Sequence, residues 1–552
     1  GTHLFLSPER SERVRTARSP SNAVEPTRDE RATASEGCRT DTPPLQRIGL
    51  SATQRPLEEV ARLLGGGDAP ANPEEPPQPR PVTIIEAGRR KQLELTVEVP
   101  VEDMARLAEQ TAPSGDASTT QTIGSIWPAM HPRLLELIRA HRSTMIFVNS
   151  RRLSERLALA INELATEDSP GETPIEIAAA HHGSVAKDKR LEIEDRLKRG
   201  QLPAIVATSS LELGIDMGAV DLVIQIEAPP SIASGVQRIG RAGHQVGAPS
   251  TGVIFPKYRG DLLACSAAVT RMRDGEVEET FYPRNPLDVL AQQIVAMVAL
   301  DACDVDEVYA TVRSAAPFFD LPRSAFEEVL DLLSGRYPSS EFAELRPRIV
   351  WDRVAGRLTP RRGAQRLAVA NAGTIPDRGL YGVFLIGENG ASGSRVGELD
   401  EEMVFETQAG DVCLLGASSW RVLEITRDRV LVAPAPGEPG KMPFWRGDGP
   451  GRPLDFGRAI GAMMRRLEGM QDDEAIESLQ TRHRLDPSAA KNLVQYLRDQ
   501  SESTGQLPTD RTIVVESFLH ELGDWRVAVL TLFGSRVHAP WAISADARIR
   551  EA

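Results

Sequence analysis

Residues Pro203–Gly247, PAIVATSSLELGIDMGAVDLVIQIEAPPSIASGVQRIGRAGHQVG, carry the reading that decides the fold. Two short apolar runs, Ala204–Ala207 and Leu222–Ile226, are rich in Ile, Val and Ala, and polar, Gly-containing sequence follows each. They read as buried strands followed by loops. The first run empties into Thr208-Ser209-Ser210, small residues able to offer hydroxyls and backbone N–H groups to an oxyanion. Gly214 and Asp216 come next, and Gln237-Arg238-Ile239-Gly240-Arg241-Ala242-Gly243-His244 lies beyond the second run. That segment should begin helical and break at its glycines, so Arg238 and Arg241 can point the same way. Arginine suits charge developing on a transferring phosphoryl group, because its planar fork stays ionised and binds in bidentate fashion. A plainer reading of either half alone is architecture, since Gly and Ser follow strands in any α/β domain.

Working outward, 552 residues are too many for one core and imply about three or four domains. A net charge of −14 excludes a uniformly basic coat, so any nucleic-acid site must be a local positive groove on an acidic body. Lysine occurs only at 91, 187, 189, 198, 257, 441 and 491; coding bias accounts for this at least as well as phosphate recognition by Arg does. Cys38, Cys265, Cys303 and Cys413 form no CxxC pair, which argues against a zinc ribbon or iron–sulfur cluster and for a reducing compartment. No apolar run approaches the length of a membrane span. The expectation is a soluble, cytoplasmic protein without membrane contact.

In chain order, Gly1–Val14 begins abruptly as a cut-off helix, and Thr16–Pro44 reads as a disordered insert. Leu45–Leu50 reads as a strand ending in Ser51-Ala52-Thr53, and Pro56 opens a helix stopped by Gly65–Gly67. VTIIEA and LELTVEV within Val82–Val99 read as strands around Arg89-Arg90-Lys91, and Thr111–Gln121 reads as an interdomain linker. A helix and the buried strand Thr144–Val148 follow, then Asn149, Ser150 and Arg151 at the start of an amphipathic helix. This cluster suits a backbone phosphate, although Ser150 as a simple helix cap is the plainer alternative. The strand Ile175–Ala180 leads into His181-His182-Gly183-Ser184; adjacent side chains diverge and no third ligand lies near, so no metal is assigned and nucleic-acid contact is preferred. Lys187–Gly200 reads as a solvated helix. After the strand Thr251–Phe255, Arg284–Arg353 reads as three helices and hairpin-like strands, a winged helix or a spacer. Beyond Leu358 the period becomes two, giving a small β-barrel or open sheet in which Trp420, Phe444 and Trp445 either stack bases or pack. Helices over Pro453–Gly469, Asp472–His483 and Ser488–Glu502 follow, then strands Arg511–Glu516 and Trp525–Phe533, with no closing element.

VATSSLELGIDMG followed by QRIGRAGH resembles motifs V and VI of superfamily 2 helicases, the signature of their second RecA-like domain. GLSATQRPLEEVARLLGG resembles motif III and TMIFVNSRRLSERLA motif IV. With SIWPAMHPRLLELI, AHHGSV and NPLDVLAQQIVAM, the likeness narrows to the large helicase-related (Lhr) family and covers nearly the whole chain outside Thr16–Pro44. The resemblance implies an α/β fold: a partial first RecA-like domain over 1–122, with the insert 16–44, and a complete second one over 123–264. A winged helix over 265–357 and a truncated β-barrel-containing domain over 358–552 would complete it. It implies an ATP-dependent helicase or translocase in DNA repair, acting on single-stranded DNA, duplexes or RNA:DNA hybrids. Carried over residue by residue, Arg241 would be the arginine finger and Arg238 its partner, while Gln237, Gly214, Asp216 and Gly240 would line the ATP cleft. Asn149, Ser150, Arg151, Gly183, Thr208 and Ser209 would grip the strand, and Ser51, Ala52 and Thr53 would transmit nucleotide state. His244 stands where the family often has Arg.

No GxxxxGK[ST] occurs; Gly440-Lys441 precedes Met442-Pro443, and Asp29-Glu30-Arg31-Ala32 falls in the insert rather than after a strand. The chain therefore reads as a fragment in which ATP and Mg²⁺ bind productively only with the missing N-terminal RecA-like portion. Little ATP hydrolysis is expected of it alone. The alternative is a non-hydrolysing nucleic-acid-binding protein, or one half of a split gene; a protein scaffold would leave the motifs unexplained. The motor reading asks both guanidinium groups, at 238 and 241, to face a nucleotide rather than an internal ion pair.

Overall fold

Apolar runs that can be buried on both faces favour a parallel sheet, whose crossovers cover it with helices. The computed structural model describes residues 46–51, 53–68, 75–86, 92–107, 125–168, 175–212, 220–243, 249–336, 346–373, 380–386, 392–400, 403–404, 407–415, 418–426, 429–436, 438, 440, 451–519 and 525–551. Two units result, residues 1–87 with 279–377 and residues 88–278 with 378–552.

The first unit opens with α1 (Leu57–Gly65), then β1 (Gly67–Asp68) and β2 (Gln78–Pro79), which pair antiparallel. The expected strand at Leu45–Leu50 is not formed. Residues 46–50 pair with no described strand, and Ile48 and Leu50 are 74% and 97% exposed. Residues 82–86 of VTIIEA likewise join no ladder. β-propensity is realised only where a sheet edge and a covering face are available.

The second unit begins with β3 (Leu93–Val97), α2 (Trp127–Ala140) and β4 (Thr144–Phe147). It continues through α3 (Arg151–Glu167), β5 (Ala178–His181), α4 (Lys187–Lys198) and β6 (Ala204–Ala207). Then come β7 (Leu222–Ile226), α5 (Ile232–Ile239), β8 (Ser250–Phe255) and α6 (Asp261–Asp274). The strands form a six-stranded sheet in the order β3-β8-β7-β4-β6-β5, every pair parallel. β4, β5, β6 and β7 are buried at every residue. Leu93–Val97, expected within the partial first domain over 1–122, pairs instead with β8 of the second-domain sheet. A strand belongs to the sheet that satisfies its backbone, and β8 offers that edge. The linker Thr111–Gln121 lies outside the described residues.

The first unit resumes with α7 (Leu287–Val298), β9 (Cys303–Asp304), α8 (Val305–Arg313) and α9 (Arg323–Ser334). The hairpin β10 (Ile349–Asp352) and β11 (Arg357–Pro360) follows, then α10 (Ala364–Ala370). β11 lies between β10 and β9, and Leu290, Ile294, Phe326, Leu330, Ile349 and Leu358 share one core, a winged-helix arrangement. The α1 segment packs on this body. Leu63 meets Tyr282, Ala316 and Phe319, Glu59 pairs with Arg284 at 2.6 Å, and Gly67 N donates to Ser314 O at 2.8 Å.

Returning to the second unit, β12 (Leu380–Ile386), β13 (Ser392–Asp400), β14 (Val412–Leu415), β15 (Ser418–Ile425) and β16 (Arg429–Pro434) make a five-stranded sheet in the order β13-β12-β16-β15-β14. It curls around Val383, Leu399, Met403, Cys413, Val422 and Val432. Then α11 (Leu454–Glu468), α12 (Asp472–Arg482) and α13 (Pro487–Thr504) return to the parallel sheet, placing Phe456, Ile460, Met464, Leu493 and Leu497 in its core. The outer edge of β3 is closed there: Val97 N donates to Arg484 O at 3.0 Å and accepts at its carbonyl from Asp486 N at 2.9 Å. After β17 (Val514–Leu519) and β18 (Trp525–Leu530), α14 (Ser535–Glu551) runs where no closing element was expected. Its sequence carries Pro540 and no clear apolar stripe, so the helical period is masked.

Candidate functional site

Because the sheet is parallel, the loops after β4, β5, β6 and β7 leave it on the same side, the side on which α/β sheets bind ligands. Asn149 and Ser150 follow β4, Gly183 follows β5, Thr208 and Ser209 follow β6, and Glu227 follows β7. Asn149, Ser150, Gly183 and Ser209 are exposed, and Thr208 is 9% exposed with its N–H donated to His181 O at 3.3 Å. A rim of small polar residues and backbone suits a sugar–phosphate strand. Ser150 also caps α3, its hydroxyl accepting from Leu153 N at 3.2 Å, so both readings of that residue are compatible. Arg151 is half-buried, and its Nη1 donates to Ser184 Oγ at 2.6 Å.

Arg238 corrects an expectation. Only 2% exposed, it faces inward from α5. Its Nε and Nη2 donate to Glu212 Oε1 at 2.8 and 2.6 Å, and its Nη1 donates to Asn149 Oδ1 at 2.9 Å and Gln225 Oε1 at 3.0 Å. The guanidinium also lies 5.3 Å from the centre of the Phe147 ring. Burial pulls its pKa down and the Glu212 carboxylate pulls it back up. Four of the fork's five N–H groups are thus engaged internally, so Arg238 does not present a free face to a nucleotide as placed. It is a positioning residue that ties α5 to the ends of β4 and β7. Arg241, just past the helix, is half-buried, and its Nε lies 3.4 Å from Gln237 O. The helix ends between the two arginines at Gly240, and Arg241 is half-buried where Arg238 is buried.

The turn holding Arg241 needs its glycines. A Cβ on Gly240 would lie 2.8 Å from Val236 O, and Gly243 has φ +72° while donating to Val220 O at 3.1 Å. Gln237 is half-buried beside them.

Neither His181 nor His182 can reach solvent. His181 Nε2 meets Glu194 Oε1 at 3.0 Å and its Nδ1 meets Ser210 Oγ at 3.0 Å, while His182 Nε2 meets Glu155 Oε1 at 2.8 Å. Burial lowers the His181 pKa, against the upward pull of Glu194. Of His181, His182 and Gly183, only Gly183 is exposed. Trp420 is half-buried, with Nε1 donated to Leu415 O at 2.8 Å. Ser51 is exposed and Thr53 half-buried; Ala52, Gly214, Asp216, His244, Phe444 and Trp445 lie outside the described residues.

Sequence reasoning missed Glu212, Gln225 and Glu227. Gln225 carried a signal: a polar side chain inside LVIQI must find a buried partner. Glu227 holds φ +64° at the end of β7, with its carboxylate on Asn149 Nδ2 at 3.3 Å and Lys257 Nζ at 2.9 Å. Nothing in the local sequence announces that conformation.

Comparison with known proteins fits this geometry. The helicase conserved C-terminal domain matches residues 130–245, the winged-helix domain of large helicase-related proteins matches 270–442, and the DEAD/H associated domain matches 507–552. A Mycolicibacterium smegmatis protein named as an Lhr helicase is 51% identical over 92% of this chain. The chain belongs to the Lhr family. A solved structure of Mycobacterium smegmatis helicase Lhr bound to ssDNA and AMP-PNP shares 48% identity at a TM-score of 0.70, covering 92% of this chain and 57% of that one. The ATP-dependent helicase Lhr-Core of Saccharolobus solfataricus is 32% identical over 89% of this chain. This chain spans 34% of the Mycolicibacterium Lhr helicase and 53% of the archaeal Lhr-Core. No helix among the described residues is long and apolar enough to cross a membrane.

Proposed function

We propose that this chain supplies the strand-gripping body and one wall of the nucleotide site of an Lhr-type ATP-dependent helicase or translocase. Its substrates would be single-stranded DNA and duplexes or RNA:DNA hybrids met in cytoplasmic DNA repair. The observation that carries the proposal is the likeness to an Lhr structure holding single-stranded DNA and an ATP analogue. The exposed strand-end residues Asn149, Ser150, Gly183 and Ser209 support it, whereas Thr208 is buried with its N–H engaged. At the nucleotide, Arg241 takes the role of arginine finger, with Gln237, Gly240, Gly214 and Asp216 alongside, and Ser51 to Thr53 couple nucleotide state to the strand.

Nucleoside triphosphate turnover also needs a cradle for the β- and γ-phosphates and for Mg²⁺. The 552 residues contain no GxxxxGK[ST], so another stretch of polypeptide must hold those groups. A chain that bound DNA yet stayed inert even with that stretch present would be a non-hydrolysing nucleic-acid binder.

Fluorescence anisotropy with a labelled oligothymidylate tests the strand-binding half of the proposal. Saturable binding, tighter than to a blunt duplex of equal length, is expected. Equal or absent affinity for both would overturn it.

A further inference from the structure

Strand β13 is an edge of the curled sheet, paired within it only to β12. Its other side is taken up by the loop that follows β5. Glu398 N donates to Ser184 O at 2.8 Å, Ala186 N donates to Val396 O at 3.2 Å, and Val185 faces Gly397 as an antiparallel bridge. Residues 184–186 thus serve as a short additional strand, one way to satisfy an otherwise open edge. The approach is close. A Cβ built on Gly397 would lie 2.3 Å from Ser184 O and 2.8 Å from Leu415 Cδ2. The nearer atom is backbone, so no rotamer change could relieve the clash.

The same loop is fixed on its other flank. Val185 N donates to His182 O at 3.0 Å, His182 is anchored on Glu155, and Arg151 holds the Ser184 hydroxyl. Burial pulls the Arg151 pKa down, and Glu398 and Asp400 of β13 offset that only in part. Between these fixed points Gly183 is exposed, and a Cβ there would meet nothing within 4 Å. The loop is pinned on both sides with one bare residue at its apex.

We infer that edge strand β13 sets the conformation of this loop for gripping a nucleic-acid backbone, and that Gly397 is its positioning residue. Gly397 touches no strand; lacking a side chain, it lets the curled sheet hold Ser184–Ala186 so that Gly183 offers its backbone to a phosphate. The inference rests on the strand-binding reading above.

The test uses the 552-residue chain with Gly397→Val, read by anisotropy with oligothymidylate and by amide hydrogen exchange at saturating oligonucleotide. If the unsubstituted chain binds no single strand, the strand-binding reading fails on its own account. If it binds, the variant should lose about tenfold in affinity, as expected for a lost backbone contact. It should also lose strand-induced protection at Ser184–Ala186 while keeping it at Thr208 and Ser209. Unchanged affinity, or protection lost equally at both places, would overturn the inference. Should Gly397→Val fail to fold, Ala186→Pro suits the local φ of −54° at the cap of α4, removes the donor to Val396 O and sets a ring carbon against that oxygen, prising the loop from β13. It should weaken binding in the same direction, and wild-type affinity in a folded Ala186→Pro would equally overturn the inference.

Discussion

Two arginines three residues apart flank a helix terminus, and different jobs are proposed for them. Arg238 is held by Glu212, Gln225 and Asn149. Replacing it with Ala strands a carboxylate and two amide oxygens, so Arg238→Ala should cost about 3 kcal/mol in urea unfolding. Arg241→Ala, half-buried at a turn, should change stability by less than about 0.5 kcal/mol. Instead it should lower ATP turnover by about a thousandfold once the phosphates are held. The opposite pattern, a silent Arg238→Ala and a destabilising Arg241→Ala, would show that the two roles are reversed. The sequence made both arginines visible but not their division, because Glu212 and Gln225 approach only after β6 and β7 are laid beside β4. The internal ion pair counts against Arg238 as a nucleotide contact. It leaves Arg241 and the family assignment standing, since the latter rests on identity along the chain.

Among elements, most strands and helices were legible because their apolar period matched their burial: doubly buried runs for β4, β6 and β7, alternation for the curled sheet, helical spacing for α7, α8 and α9. The failures share a cause. Leu45–Leu50 has the composition of a strand without an edge to join, and Leu93–Val97 was assigned to the wrong body because partner choice is tertiary. The packing of α12 and α13 on α6 adds a pH dependence that no local pattern shows. His483 Nδ1 lies 3.2 Å from Ser266 O and 2.7 Å from Thr270 Oγ1. Burial, aided by Arg466 and Arg482 against the Ser266 carbonyl and Asp274, pushes its pKa down to about 4. The folded state prefers the neutral ring, so this contribution is complete above the ordinary value of 6.5 and is lost as pH falls towards 4. The loss should reach about 3 kcal/mol. His483→Asn keeps a donor near the Nδ1 position and should flatten the stability profile between those pH values. Asp261, pushed up to about 6 by burial, acts with the opposite sign and is present in both proteins, so the difference between them isolates His483. An identical profile for the two would refute the assignment.

At the scale of the whole molecule, a net charge of −14 must coexist with the polyanionic ligand proposed for it. Binding should therefore be local and salt-sensitive. The logarithm of the association constant for single-stranded DNA should fall with the logarithm of salt at about 0.7 per phosphate engaged, giving a slope of about −2 to −4 for a grip confined to one rim. A slope near zero would deny that phosphates are engaged at all. The acidic balance was legible in composition and the exposed polar strand ends in the loops after the apolar runs, whereas the union of the curled sheet with the loop at Gly183 was not, since it joins residues more than two hundred positions apart through backbone alone.

The roles proposed for this chain are a nucleic-acid grip and an arginine finger, with a triphosphate cradle supplied by another stretch of polypeptide. Steady-state ATP turnover by the purified 552-residue chain, with and without single-stranded DNA, tests them most directly. Background turnover is expected in both conditions. A DNA-stimulated rise of at least about a hundredfold is expected when a polypeptide carrying the P-loop and acidic box is supplied, abolished by Arg241→Ala. ATP-driven unwinding by the chain on its own would contradict them.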